Sequence, residues 1–330
     1  MIPNYVLTIE DREQLTGFLK ACINLFGDQK EGDRLSEFSI KWRTQFFQCE
    51  SFLIRSVGHQ KDPRNAAFEY LTFGDWFNAV RMFNKIDYKI CLDPISRFYC
   101  GVAYAKIYQI CRRCDKYREY IKELIFKAIR LFTGCLLSLL FYEDSPRSES
   151  TKTAIPAPPE ILYRITLNCN EIHILRSKCV FWLSWLYFES NDFRKCVYYG
   201  KIFLSYKLYN FKTFFLMNLY ILNSYARAHR FDLAINEIDK LDFSQHKFPH
   251  SLKFLTPDIF EGDTVIPRNS RVADSIFRYQ KIIFLLLNQD YRRALVEYDS
   301  FEKIHDLPNE MKESLCTLVH RVRFQLSCLA

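Results

Sequence analysis

An all-α fold built from antiparallel helix hairpins is predicted by three features of the sequence. Apolar residues recur at helical spacing in segment after segment. Turn formers are sparse, with nine Gly and eleven Pro in 330 residues, which argues against a sheet protein with many tight turns. A small–large–turn–small–large pattern also recurs. It is clearest in Asn65 to Ile86, where Ala67, Tyr70, Gly74, Ala79 and Phe83 fall in that order. Ala67 and Ala79 let two helices approach closely, Tyr70 and Phe83 are expected to fill the remaining space, and Gly74 accepts the turn backbone without steric cost.

Taken in order, a first helix is predicted over residues 9 to 27, from Leu15, Phe18, Leu19, Cys22, Ile23 and Phe26, with Gly27 as its stop. A second spans about 35 to 57, before Gly58 and Pro63. The 65–86 hairpin follows. Helices of about 95 to 110 and 116 to 141 come next, completing a block of N-terminal hairpins over 1–142. Residues 143–160 are polar and proline-rich and read as a flexible linker. Helical periodicity resumes over 161–330.

The pattern returns there three times. Tyr187 precedes Asn191-Asp192-Phe193 and Cys196; Tyr225 precedes His229-Arg230-Phe231-Asp232 and Ala234; Leu285 precedes Gln289-Asp290-Tyr291 and Ala294. The spacing of 38 residues between Cys196 and Ala234 is close to a helical-repeat period of ~34. The 60 residues from Ala234 to Ala294 contain an insertion, 243–271, whose Pro249, Pro257, Gly262 and Pro267 forbid a single helix. Glu310 to Leu329 reads as one more amphipathic helix. With its small, turn and large residues so placed, the chain resembles a tetratricopeptide-repeat (TPR-like) protein. The resemblance implies a degenerate α-solenoid in which each hairpin buries its apolar face against neighbours.

Composition narrows the function classes. The chain is 49% hydrophobic and 16% aromatic, enough for a large core. Its net charge of +8 is dispersed over helical faces. MIPNYVLTIEDREQL lacks the pattern of a secretory signal, and the most apolar runs, Leu131 to Tyr142 and Thr213 to Leu222, fall short of the ~20 residues of a membrane span. A soluble, cytoplasmic protein is expected. Of twelve cysteines, Cys100, Cys135, Cys179, Cys196 and Cys328 lie within apolar helical patterns, as small hydrophobes in a reducing compartment do. Cys111 and Cys114 form a lone CxxC with no second half for zinc.

No phosphate-binding, dinucleotide, zinc-protease or nucleophile-elbow motif is present. No catalytic residue, cofactor, metal or small-molecule substrate is predicted, and the chain is not expected to be an enzyme. His173 and His320 are scattered. Asp192, Asp232 and Asp290 read as turn or helix-start residues capping backbone N–H groups. Two surfaces are candidates. Phe181, Trp185 and Phe188 lie one turn apart and are either core or, if exposed, a partner-docking stripe. Arg112, Arg113, Lys116 and Arg118, beside Tyr117 and Tyr120, form a basic patch of the kind that can contact single-stranded RNA. A carboxylate clamp of the sort some tetratricopeptide domains use is incomplete: Asn223 and Arg227 suit it, but Trp185, Glu189, Ile283 and Leu287 do not.

A narrower resemblance covers about Lys178 to the end. It rests on DFRKCVYYGKIFL over Asp192 to Leu204, the hairpin reaching Ile238-Asp239-Lys240-Leu241, the Pro249–Pro257–Gly262 loop, and Arg278 to Leu295. In that order the segments resemble the tetratricopeptide subunit 12 of the TRAPP vesicle-tethering complexes. The resemblance implies a non-catalytic scaffold, bound to other subunits of a complex that activates Rab GTPases, in endoplasmic reticulum–Golgi transport and autophagy. It would reach membranes only through that complex, and nucleic acid is not its expected partner. Scaffolds of deadenylase or ubiquitin-ligase complexes, and RNA-binding helical-repeat proteins, are the alternatives.

Overall fold

A computed structural model of the chain describes residues 63–85, 93–112, 118–143, 167, 169–241, 270–301, and 313, 315–317, 319–320 and 322–324. The predicted helices over 9–27 and 35–57, the insertion 243–271 apart from its last two residues, and the linker 143–160 apart from Glu143 lie outside them. The described residues are mostly helical, with no strand among them. In order they form α1 (Pro63–Phe73), α2 (Trp76–Phe83), α3 (Pro94–Cys111), α4 (Arg118–Glu143), α5 (Cys169–Glu189), α6 (Phe193–Ser205), α7 (Phe211–Arg227), α8 (Phe231–Asp239), α9 (Ser270–Leu287) and α10 (Tyr291–Phe301). The chain divides into two compact units, and the division falls inside α5, between Leu186 and Tyr187.

In the first unit α3 is the central helix. Every residue of it except Arg97 and Ile110 is buried, as its apolar character on all sides requires. Asp93 caps it, accepting from the Ile95 N–H at 2.9 Å, and Pro94 occupies the first turn, where no N–H is needed. Helix α4 runs antiparallel to α3: the Cys135 thiol donates to the Pro94 carbonyl (3.1 Å), and Phe132 meets Phe98 edge-on at 5.6 Å. Gly101 makes this approach possible, since a Cβ there would stand 3.1 Å from the Phe132 ring. The Phe132 ring then stacks on Trp182 of α5 at 6.0 Å. In the α1–α2 hairpin, Ala67 and Ala79 are wholly buried as the pattern predicts. Phe68, however, and not Tyr70, packs edge-on against Phe83 (5.7 Å) and continues onto Tyr99 (5.3 Å). Tyr70 stays half-buried, because Phe68 lies on the side of α1 that faces α3 as well as α2.

The four hairpin turns read from the sequence share one geometry. In each, a residue of positive φ ends the first helix: Gly74 (73°), Asn191 (61°), His229 (55°) and Gln289 (61°). Its N–H bonds three residues back, to Leu71, Phe188, Ala226 and Leu286. The next N–H bonds five residues back, to Tyr70, Tyr187, Tyr225 and Leu285, at 2.8 to 2.9 Å. This is the Schellman arrangement. That next residue, Asp75, Asp192, Arg230 or Asp290, is also the first residue of the following helix boundary, its carbonyl accepting from Ala79, Cys196, Ala234 or Ala294. All four of those small residues are fully buried. One residue therefore closes one helix and opens the next, which forces the chain to reverse in a fixed way. Asp75, Asp192 and Asp290 accept a backbone N–H through their side chains. Asp232 does not serve as the cap of α8. That position is Arg230, which makes no side-chain capping bond, and Asp232 sits within the first turn.

In the second unit α6 packs on α7 through Gly200, where a Cβ would come within 2.9 Å of Ile221 and 3.0 Å of Met217. An Asn210–Thr213 capping box starts α7. Phe215 meets Phe277 of α9 at 5.1 Å, and Phe231 of α8 meets Phe284 at 6.2 Å. Lys281 of α9 pairs with Asp239 of α8 (2.8 Å) and with Glu297 of α10, tying consecutive helices together.

Candidate partner-docking surface

The predicted aromatic stripe does not form one exposed surface. Phe181 and Trp185 are buried in the first unit, where Trp185 packs edge-on against Trp182 (5.6 Å) and Tyr108 (5.8 Å). They are core, so no partner reaches them. The wholly buried Lys106 holds its Nζ 5.9 Å from the centre of the Trp182 ring. Phe188 belongs to the second unit. It is half-buried against Tyr220 (5.4 Å) with the Arg227 guanidinium 4.6 Å over its ring. Residues 181, 185 and 188 share a helical face, but α5 outlasts the core that covers the first two.

Arg227, a clamp candidate, is thus engaged with an aromatic face, and Asn223 is half-buried nearby in sequence. Of the basic cluster, Arg112 is described as the residue that ends α3, its N–H bonded to the Tyr108 carbonyl at 2.8 Å. Arg113, Lys116, Tyr117 and the Arg118 side chain lie outside the described residues, and Tyr120 is exposed at the start of α4. His173 and His320 are exposed on separate helices. Cys100, Cys111, Cys135, Cys179 and Cys196 are buried, and no described cysteine is in a disulfide. Burial pushes the Cys100 and Cys179 thiols well above their ordinary range, which suits inert packing rather than nucleophilic chemistry. Cys114 and Cys328 lie outside the described residues.

Around the second turn a Tyr cluster faces outward. Tyr187 stacks on Tyr199 at 5.4 Å, Lys195 lies 5.1 Å from the Tyr187 ring centre, and Lys195 also pairs with Asp192 at 2.8 Å. Burial raises both Tyr187 and Tyr199 above the usual phenol value. Asp192 also accepts from the Lys195 N–H at 3.2 Å, so its carboxylate serves the start of α6.

Helix α4 carries the surface that sequence reasoning missed. Its inner seam, Ile125, Ala128, Phe132, Cys135 and Leu139, is buried. Its outer face carries Phe126, Leu137 and Leu140, 56%, 55% and 51% exposed, with the Arg130 guanidinium 5.4 Å over the Phe126 ring. The signal was available in the sequence: apolar residues recur on both sides of one helix, and only one side can face a single neighbour.

Among the described residues no group of three or more His, Cys, Asp or Glu is placed to hold a metal, and no helix is long and apolar enough to cross a membrane. No protein-family model matches the chain, and no curated protein matches it.

Proposed function

We propose that this protein is a non-catalytic scaffold, a TPR-like stack of helix hairpins whose work is to hold other protein chains. The observation that carries the reading is the recurrence of one turn. Four hairpins reverse through the same pair of hydrogen bonds and set a small residue, Ala or Cys, in the core at the same position after the turn. Identical reversals stack hairpins in a regular way, and stacked hairpins present long surfaces to partners. The narrower reading, a subunit of a TRAPP-like tethering complex acting with Rab nucleotide exchange at the endoplasmic reticulum and Golgi, is supported by the order of hairpins and loop punctuation from Lys178 onward. A scaffold of another assembly, such as a deadenylase or ubiquitin-ligase complex, fits the same hairpins.

A native pull-down of the tagged full-length chain, with its partners identified by mass spectrometry, tests this. Small tethering-complex subunits in fixed stoichiometry support the narrower reading. A different stable complex leaves the scaffold and discards tethering. A chain recovered alone and monodisperse overturns both. Nucleotide exchange by the purified chain alone overturns its non-catalytic part.

A further inference from the structure

We infer that Cys135 and Cys179 form one redox-modification site, at which hydrogen peroxide joins α4 to α5 through a disulfide. The inference stands apart from the scaffold reading.

Cys135 lies on α4 and Cys179 on α5, 44 residues apart in the chain and within one compact unit. Two contacts fix how those helices meet. The Phe132 ring stacks on Trp182, and Arg176 Nη2 donates to the Leu139 carbonyl at 3.4 Å. Residue numbers rise along one helix as they fall along the other, so the two are antiparallel. Three residues on from Phe132 and three back from Trp182 stand Cys135 and Cys179. Four further residues lead to Leu139 and Leu175. That is the alternation of three and four by which two helices interlock. All six side chains are buried.

The two thiols touch. Cys179 and Cys135 share a hydrogen bond. Cys135 gives its one S–H to the Pro94 carbonyl at 3.1 Å, so Cys179 is the donor between the two sulfurs. This chain of bonds, Cys179 to Cys135 to Pro94, holds the sulfurs side by side in a site closed to solvent. Cys100, buried in the same unit, has no thiol beside it among the described residues.

Burial decides which oxidant fits. Hydrogen peroxide is close to water in size and can reach sulfurs that a bulky disulfide cannot. Burial also raises the Cys179 thiol, so thiolate is scarce and the reaction is slow. In the first step one thiol gives up its proton and its sulfur attacks a peroxide oxygen. The O–O bond breaks, the departing hydroxide takes the proton to become water, and a sulfenic acid is left. The second sulfur then attacks the first. The S–O bond breaks, and hydroxide leaves with the second thiol's proton as water. Two thiols and one peroxide become one disulfide and two waters.

The test uses the full native chain, its accessible thiols blocked with N-ethylmaleimide and the chain then treated with millimolar hydrogen peroxide. Tryptic peptides mapped without reduction are expected to show Leu131–Arg147 joined to Cys179–Arg194, each of which holds a single cysteine. The thermal midpoint should rise by about 4 °C or more, as closing a loop of this length predicts, and dithiothreitol should reverse the rise. Oxidised glutathione in place of peroxide should leave both cysteines as thiols. Cys135→Ala and Cys179→Ala should each show no rise. Recovery of the two cysteines as thiols, as sulfinic acids or joined to other cysteines overturns the proposal. So does a cross-link that forms only in urea, one that oxidised glutathione makes equally well, a midpoint that does not move, or a rise that survives either substitution. Where a variant fails to fold, the peptide map of the natural chain decides alone.

Discussion

Arg64 Nε stands 2.8 Å from the Asp93 carboxylate, 29 residues away in the chain, with both side chains sealed from water. The same nitrogen lies 2.9 Å from Ser96 Oγ, and Ser96 donates to Asp93 in turn. Asp93's other oxygen caps α3. One buried network thus joins the first turn of α1 to the start of the central helix. Removing Arg64 takes from the buried Asp93 its ion pair, and removing Asp93 takes that pair from the buried Arg64. Asp93→Ala is expected to cost about 3–5 kcal/mol, and Arg64→Met a similar amount. Urea unfolding followed by circular dichroism measures both. A loss below about 1 kcal/mol in either variant would mean that water reaches the site.

Gly200 sets the distance between α6 and α7. A larger side chain must displace Ile221 and Met217, which are themselves buried. Gly200→Leu should lower stability by about 1–3 kcal/mol, read as a fall in the thermal midpoint. Gly134→Ala, whose Cβ meets the movable end of Arg97, should cost less.

The shared turn makes opposite predictions at two of its sites. Gln289 holds a positive φ that glycine adopts freely, so Gln289→Gly should stabilise the α9–α10 hairpin by about 0.5–1 kcal/mol. Gly74→Ala should destabilise its hairpin by about 1 kcal/mol. Asp75→Ala, which removes the bond to the Asn78 N–H, should cost about 1 kcal/mol. Chemical denaturation of the three variants checks the signs.

Glu237 links stability to pH. Burial by itself raises its carboxyl, but hydrogen bonds and charge from Lys201 and then Lys240 outweigh it, and the group lies below its ordinary 4.5. A depressed carboxyl stabilises the fold above its unfolded value, and that contribution is lost as pH falls through the lower, folded one. Unfolding midpoints between roughly pH 2 and 7 should therefore fall more steeply for the native chain than for Glu237→Gln. Identical slopes would show that the Lys201–Glu237 pair contributes nothing. Lys281 has the opposite sign. Burial lowers it, but Asp239 and Glu297 raise it above 10.5, so its contribution is lost only as pH rises beyond that value.

The hairpins were legible because their signals are local. Ala79, Cys196, Ala234 and Ala294 each follow their turn by five residues and are buried to the last atom, as their spacing implied. Turn chemistry was readable even where glycine is missing: Asn191, His229 and Gln289 occupy the position Gly74 holds in the first hairpin, and the hydrogen bonds are the same. The close approach at Gly200 was not readable, because nothing near it in sequence announces that Ile221 will lie over it.

The surfaces show the limit most clearly. Helical periodicity is set by 3.6 residues per turn, so the sequence by itself determined that Phe181, Trp185 and Phe188 share a face and that Phe126, Leu137 and Leu140 share another. Which of those faces meets another part of the chain depends on residues tens of positions away. Tertiary packing buried Phe181, set Trp185 against Tyr108 and Trp182, placed Phe68 rather than Tyr70 against Phe83, and left the outer side of α4 in water. Side-chain identity specifies what a helix face can bury; only the neighbours brought to it in space decide whether it is buried.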